Sequence, residues 1–226
     1  MIERLPSVRP FTPAALKWRI ADAATEGVDG FGIPATTVTT DGGGYWVAEF
    51  GDLRGATDAH HRALRALASR LRGGKRIDVP FLELSPTGGL EEVTFSDGTT
   101  YSDGAGEIVG LTTAVLEEAV APNDFEALIR VTAGPNLRGS DVFSVTRSAT
   151  LGDEMHLCES MTEVEDRLWS VTVGPQFRQA YAAGTALNFN DPHCAMRLQD
   201  PEGSLWGKFD RSWITRVSAR FVEAVR

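Results

Sequence analysis

Residues 57–72, TDAHHRALRALASRLR, are the one stretch of this 226-residue chain that keeps a sustained helical period. Ala63, Leu64, Leu67 and Leu71 recur at three- and four-residue spacing and fall on one helix face. Thr57 suits the N-cap, Asp58 suits the positive first turn, and Gly73-Gly74 supplies a stop. The stripe is narrow and rich in alanine, which predicts close packing on a sheet. Arg62, Arg65, Arg70 and Arg72 are too many to face a core, so several must reach solvent or a partner. Everything around this helix reads as strands and turns. The contrast sets the fold class: mainly β, a barrel or sandwich with one principal α-helix packed on a sheet.

Upstream, Leu16–Ile20 carries Trp18 among polar neighbours, and Thr36–Thr40 is a β-branched run. Asp41-Gly42-Gly43-Gly44 reads as the tip of a hairpin joining Thr36–Thr40 to Tyr45–Phe50. Downstream, Ile77–Leu84 ends at Ser85-Pro86-Thr87-Gly88-Gly89, and Val93–Phe95 turns at Ser96-Asp97-Gly98. Further runs stop at Asp103-Gly104, at Pro122-Asn123-Asp124 and at Gly152-Asp153. Leu111–Val120 accepts either a helical turn or a strand. From Trp213 to Phe221 one face reads Trp, Thr, Val, Ala, Phe and the other Ile, Arg, Ser, Arg, the period of a half-buried strand.

A short echo marks the second half. Val131-Thr132-Ala133-Gly134-Pro135-Asn136-Leu137-Arg138 returns as Val171-Thr172-Val173-Gly174-Pro175-Gln176-Phe177-Arg178, with five of eight positions identical. Gly-Pro ends strands for steric reasons alone, but the shared residues beyond it favour two similar β units. The reading therefore divides the chain into an N-terminal β region, residues 1–90, and a second, residues 91–226. The second holds similar strand units near 125–160 and 165–200 and the C-terminal strand. The two regions can also interlace as one domain.

Composition bounds the function. Apolar residues at 42% and charged residues at 23% are those of a chain that can bury a core, so disorder throughout is excluded. A net charge of −9 argues against a general nucleic-acid binder, which needs a surplus of Lys and Arg. No apolar run reaches the roughly 20 residues of a membrane-spanning helix. The N-terminus lacks the apolar core of a signal peptide, which predicts synthesis in a cytoplasm. Two cysteines, Cys158 and Cys194, are too few for a disulfide scaffold.

Charge is segregated along the chain. Between Arg54 and Arg76 stand seven basic residues, Arg54, Arg62, Arg65, Arg70, Arg72, Lys75 and Arg76, with Asp58 the only acid. The next fifty-three residues, Ile77 to Ile129, hold no Lys or Arg and eleven acids, from Asp78 to Glu126. One account is a solvated face with some internal pairing. A second is a heterologous interface, in which the basic helix of one copy meets the acidic region of the next. Arg62, Arg65, Arg70, Arg72, Lys75 and Arg76 are its candidate residues. A third, DNA binding by the helix, suffers because the nearby acids repel phosphates.

Catalytic signatures are missing. His60 and His61 point about 100° apart on a helix and are expected on its surface. His156, Cys158, His193 and Cys194 are of the types zinc accepts. Their spacing matches no usual zinc pattern, and a free Cys is commonly a small buried hydrophobe. Whether these four converge stays open, and no metal or cofactor is assigned. Gly104-Ala105-Gly106-Glu107-Ile108-Val109-Gly110 misses the G-x-G-x-x-G spacing. Acid pairs such as Asp153 and Glu154 arise by composition alone in a chain with 31 acids. No catalytic residue is assigned, and the chain is read as a non-enzyme.

The order of these features resembles the N-terminal belt region of tail-tip proteins from long-tailed bacteriophages. Opening strands, a Gly-rich hairpin and one Ala/Leu/Arg helix ending in LRGG lead into a strand and a Pro-Gly turn. The later stretch WSVTVGPQFRQAYAAGTALNFNDPHCAMRL is similar to a recurrent segment of phage tail proteins. The likeness is greatest to distal tail proteins, the ring between tail tube and baseplate hub. The resemblance implies a split β-barrel of belt type and a hexameric ring of copies of this chain. It also implies tail tube and hub proteins as partners and a place in the virion at the tail tip. No cofactor, nucleic acid or membrane insertion is implied. The chain is short for family members with a large carbohydrate-binding C-terminal domain. The alternatives are another minor tail or tail-completion protein, or a carbohydrate-binding module using Trp206 or Trp213.

Overall fold

The computed structural model of the chain describes residues 2–5, 11, 13–21, 24–28, 34–39, 44–81, 111–200 and 215–225, with backbone alone at 24–28, 34–39 and 215. Among these lie fourteen strands and one helix, so the chain is mainly β with one helix, as its periodicity predicts. The Val93–Phe95 strand, the turns at 85–89, 96–98 and 103–104, and Trp206 and Trp213 fall outside the described residues.

The chain forms two compact units. The first takes Met1–Pro80, Ser148–Asp153 and Cys194–Arg226, and the second Phe81–Arg147 and Glu154–His193. The first unit holds β1 (Glu3–Arg4), β2 (Ala15–Ala21), β3 (Ala24–Val28), β4 (Pro34–Thr39), β5 (Tyr45–Gly55), α1 (Asp58–Arg70) and β6 (Arg76–Pro80). In the second lie β7 (Thr113–Leu116), β8 (Glu126–Ala133), β9 (Val142–Ser148), nearly all of β10 (Gly152–Glu165), β11 (Leu168–Gly174) and β12 (Ala186–Asn188). The chain then returns to the first unit through β13 (His193–Leu198) and β14 (Thr215–Glu223).

In the first unit a six-stranded sheet runs β1-β6-β13-β14-β5-β2. The alternation read at the C-terminus is realised in β14: Val217, Ala219 and Phe221 are buried, while Arg216, Ser218 and Arg220 are exposed. Phe221 lies opposite Ala48 of β5 and packs edge-on against Phe50 at 5.4 Å between ring centroids. Trp18 of β2 lies opposite Ala48 and meets Trp46 in the same way at 5.9 Å. On the solvent side Glu49 stands between Arg19 of β2 and Arg220 of β14, at 3.7 and 3.6 Å.

This pairing corrects the hairpin expected from the glycine run. Of the Thr36–Thr40 run, the residues up to Thr39 lie in β4, which pairs with β3 in a separate two-stranded sheet, and Tyr45–Phe50 pairs instead with β2 and β14. The reason is hydrophobic register. Trp46, Val47, Ala48 and Phe50 are all buried, and apolar partners for them come from β2 and β14, not from a threonine-rich run.

Helix α1 begins as its sequence predicts. Thr57 is the N-cap, in extended conformation, and its side chain accepts the His60 N–H at 3.2 Å. Leu64, Leu67, Ala68 and Leu71 are buried, and full burial of a Leu side chain stabilises by about 1.5–3 kcal/mol. Ala63, expected in the stripe, is only half-buried. The sheet comes close to the helix at Gly55 of β5, where a Cβ would sit 3.2 Å from the His61 ring and 3.5 Å from Leu64. His61 is therefore buried, at 8% exposure, and not on the helix surface where the sequence reading placed it. His60 is half-buried, and its Nδ1 accepts the Ala56 N–H at 3.4 Å.

The second unit is a closed six-stranded barrel, β10-β11-β8-β7-β12-β9. Its filling includes Leu116, Ile129, Val131, Phe143, Val145, Val171, Phe177 and Phe189. The Leu111–Val120 segment, open between helix and strand, contains β7, which pairs with β8 and β12, and Val120 bridges to Tyr181. The strands that lead into the two copies of the echo, β8 and β11, are antiparallel neighbours, with Leu168 to Thr172 of β11 opposite Arg130 to Glu126 of β8. The apolar residue after each Gly-Pro, Leu137 or Phe177, enters the same barrel core. The backbones differ: Gly134 has φ +82°, whereas the Gly174–Pro175 bond is cis.

Candidate interaction surface and buried polar centre

The basic residues singled out in the sequence sit where a partner can reach them. Arg62, Arg65, Arg70, Arg72 and Lys75 are exposed, and Arg76 is half-buried. They are not all equivalent. Arg62 is tied to Asp58 one turn back at 2.5 Å, and Arg70 to Glu3 of β1. Such exposed pairs contribute little to stability, so neither removes its Arg from use by a partner. Among the described residues neither Lys75 nor Arg76 has an ion-pair partner.

Three of the six converge. Arg70, Lys75 and Arg76 line a groove of about 530 Å³ beside the C-terminal end of α1. Ile2, Leu71 and Ile77 supply apolar wall, and Glu3, Gly74 and Thr150 complete the lining. A helix C-terminus alone carries about half a negative charge and repels anions. Arg70, Lys75 and Arg76 outweigh it even with Glu3 paired to Arg70, so the groove carries net positive charge.

The acids are distributed less simply than the sequence windows imply. Of the eleven between Asp78 and Glu126, six (Glu83, Glu91, Glu92, Asp97, Asp103 and Glu107) lie outside the described residues. Glu117 receives Arg130 in a fork, at 2.7 and 2.9 Å. That hydrogen bond, more than the charge alone, holds the Glu117 carboxyl below the usual carboxylate range and raises Arg130. Glu118 and Glu126 are exposed. Glu159, Glu163, Glu165 and Asp166, later in the chain, are exposed on the same barrel. The windows stopped short of them because interleaved arginines end the acid-only run.

The tertiary division is cleaner than the linear one. Among the described residues the barrel carries eleven acids against five Arg, and the sheet unit nine acids against thirteen Lys and Arg. The two units thus have opposite net charge.

A second polar feature lies inside the barrel. Glu154 and His156 of β10 are each about 1% exposed, with Glu154 Oε1 3.3 Å from His156 Nε2. His156 Nδ1 lies 2.6 Å from the Pro175 carbonyl, which can only accept, so Nδ1 carries a proton. Nε2 faces the Glu154 carboxyl group, so the two buried polar side chains lie against each other inside the barrel. The ring is held between Phe143 and Phe177, at centroid distances of 5.2 and 4.4 Å. The Arg178 N–H also reaches Glu154 Oε1, at 3.4 Å. Tyr181 shares this interior. Burial first, and the Glu154 charge second, push its phenol well above the usual tyrosine range, with Arg147 and Gln179 acting in the opposite sense. The sequence carried no signal for this cluster beyond the alternation of Glu154, His156 and Cys158.

His156 and Cys158 do share a buried face, as a strand requires, but Cys158 sits against Asp141. Burial and then the Asp141 charge push its thiol far up. His193 and Cys194 are both buried, and His193 Nε2 lies 3.6 Å from Asp191 Oδ1. Among the described residues no three His, Cys, Asp or Glu side chains gather as a metal site would require. No described helix is long and apolar enough to cross a membrane. No family model matches the chain, and no curated protein matches it.

Proposed function

We propose that this chain is a structural subunit that assembles with copies of itself into a ring, as the distal tail or baseplate protein of a long-tailed phage. The observation that carries the assembly reading is the opposite charge of the two units, with the Arg-bearing face of α1 turned to solvent. One chain with surfaces of both signs favours head-to-tail contact between copies, and a head-to-tail contact closes into a ring when its rotation permits. The placement in a phage tail rests on the order of elements in the sequence, and six copies follow from that likeness. On this reading the ring joins the tail tube to the tip hub, its work is mechanical, and its place is the virion. No catalytic residue or cofactor takes part.

Mass measurement and negative-stain imaging of the purified chain test the proposal. A ring, six copies by the tail reading, is expected at low salt. Salt shortens the screening length from about 10 Å at 0.1 M to about 3 Å at 1 M and should weaken the assembly. A chain that stays monomeric at every concentration and salt tried overturns it.

A further inference from the structure

The barrel presents an exposed aromatic residue just ahead of β8. Phe125 is 58% exposed, stands between Asp124 and Glu126, and sits on a backbone that is firmly held. Asp124 Oδ2 accepts the Ala121 N–H at 2.6 Å, and the Asp124 carbonyl accepts the Phe177 N–H at 3.0 Å. The Phe125 carbonyl accepts the Val173 N–H at 2.8 Å, and the Asn123 N–H donates to the Phe177 carbonyl at 2.8 Å. An aromatic side chain on a backbone already fixed loses little entropy when it docks, which is the character of an interface anchor. Its acidic flanks, with Glu118 exposed nearby in sequence, mark the partner as basic and partly apolar.

The groove beside α1 has that chemistry. Its apolar wall is Ile2, Leu71 and Ile77, and its cations are Arg70, Lys75 and Arg76. We infer that this groove receives the Asp124–Phe125–Glu126 segment of a second copy of the chain. Phe125 enters against the apolar wall, Glu126 meets Lys75 and Arg76, and Arg70 exchanges or shares its contact with Glu3. The contact is heterologous, because each copy gives a barrel segment and receives one in its sheet unit. The inference rests on the ring reading and names the surfaces that would build it.

Charge-reversal variants test it. Glu126→Lys spoils only the donor segment, and Lys75→Glu/Arg76→Glu spoils only the groove. Each alone should remain monomeric under conditions where the wild type assembles, with dissociation constants raised about tenfold or more. An equal mixture should restore the multimer with the two variants alternating, because each variant's donor segment then faces a groove of opposite sign on the other. Combining all three substitutions in one chain should restore the multimer. Phe125→Ala, which removes an exposed ring the barrel does not bury, should weaken assembly by a similar factor, and it serves if a charge variant fails to fold. Wild-type multimers with unaltered multimers in every variant overturn the groove assignment and leave the ring reading standing. A monomeric wild type overturns both.

Discussion

The Glu223 carboxylate, on the last strand, accepts the backbone N–H of Trp46 at 2.9 Å, a buried contact between positions 177 residues apart. It fastens β14 to β5, its neighbour in the six-stranded sheet. A buried N–H left without an acceptor costs about 1–3 kcal/mol, and a charged acceptor strengthens the bond.

Replacing Glu223 by Ala should therefore destabilise the fold by about 2–3 kcal/mol, whereas Gln, which keeps an oxygen acceptor, should cost about 1 kcal/mol or less. Denaturant unfolding followed by tryptophan fluorescence reads both. Equal losses for the two variants would show that the side-chain volume matters and the hydrogen bond does not.

The Glu154–His156 pair makes an asymmetric prediction. His156→Leu strands a carboxyl group in the barrel interior and should cost about 3–5 kcal/mol. Adding Glu154→Leu removes the stranded group and should recover most of that loss. A double mutant no more stable than His156→Leu alone would mean that the ring's packing between Phe143 and Phe177 is what holds the barrel.

The alkaline limb of stability should be steep. Cys158 and Tyr181 ionise less readily when folded than at their ordinary values of 9.0 and 10.0. Above those values the unfolded chain releases protons that the folded chain retains, so stability present below about pH 9 falls as pH rises. Each group contributes a slope of at most about 1.4 kcal/mol per pH unit. Cys158→Ala and Tyr181→Phe should each flatten the limb in thermal melts between pH 8 and 11. The same burial predicts that a thiol reagent labels neither Cys158 nor Cys194 until the chain unfolds. Rapid labelling of the folded chain would contradict the burial of both.

Gly134 and Gly184 both take positive φ, at +82° and +80°, but their surroundings differ. A Cβ at 134 would collide with the Leu111 carbonyl, whereas one at 184 meets nothing within 4 Å. Gly184→Ala should cost only the left-handed backbone, about 1 kcal/mol. Gly134→Ala must cost distinctly more, since the obstacle is backbone and cannot rotate away. Thermal melts of the two variants give the comparison, and equal shifts would refute the packing argument.

Features with a local cause were legible. The Thr57 cap, the Leu64/Leu67/Leu71 stripe and the exposure of Arg62, Arg65, Arg70 and Arg72 all follow from the 3.6-residue period and from charge. The turn at Pro122-Asn123-Asp124 was legible in the same way, and Asn123 takes φ +71° there. The hairpin assigned to the glycine run was not, because a flexible link fits many partners and the apolar needs of β5 chose among them. His61 was misplaced because helix periodicity alone cannot say how closely the sheet approaches at Gly55. The convergence of Arg70, Lys75 and Arg76 with Ile2 was also hidden, since β1 meets β6 only through a parallel pairing across more than seventy residues.

By itself the sequence determined what a few neighbouring residues can decide: one capped helix with a basic outer face, a mainly β chain, and the alternation of β14. It also determined the segregation of charge, because that is composition read in order. Tertiary structure decided which strands became neighbours, and so that β14 crosses back to β5 and that the later acids share a barrel. Those outcomes depend on burying Trp46, Phe50 and Phe221 together and on closing six strands around Phe143, Phe177 and Phe189. Such contacts are made between residues far apart in the chain, and no local pattern specifies them.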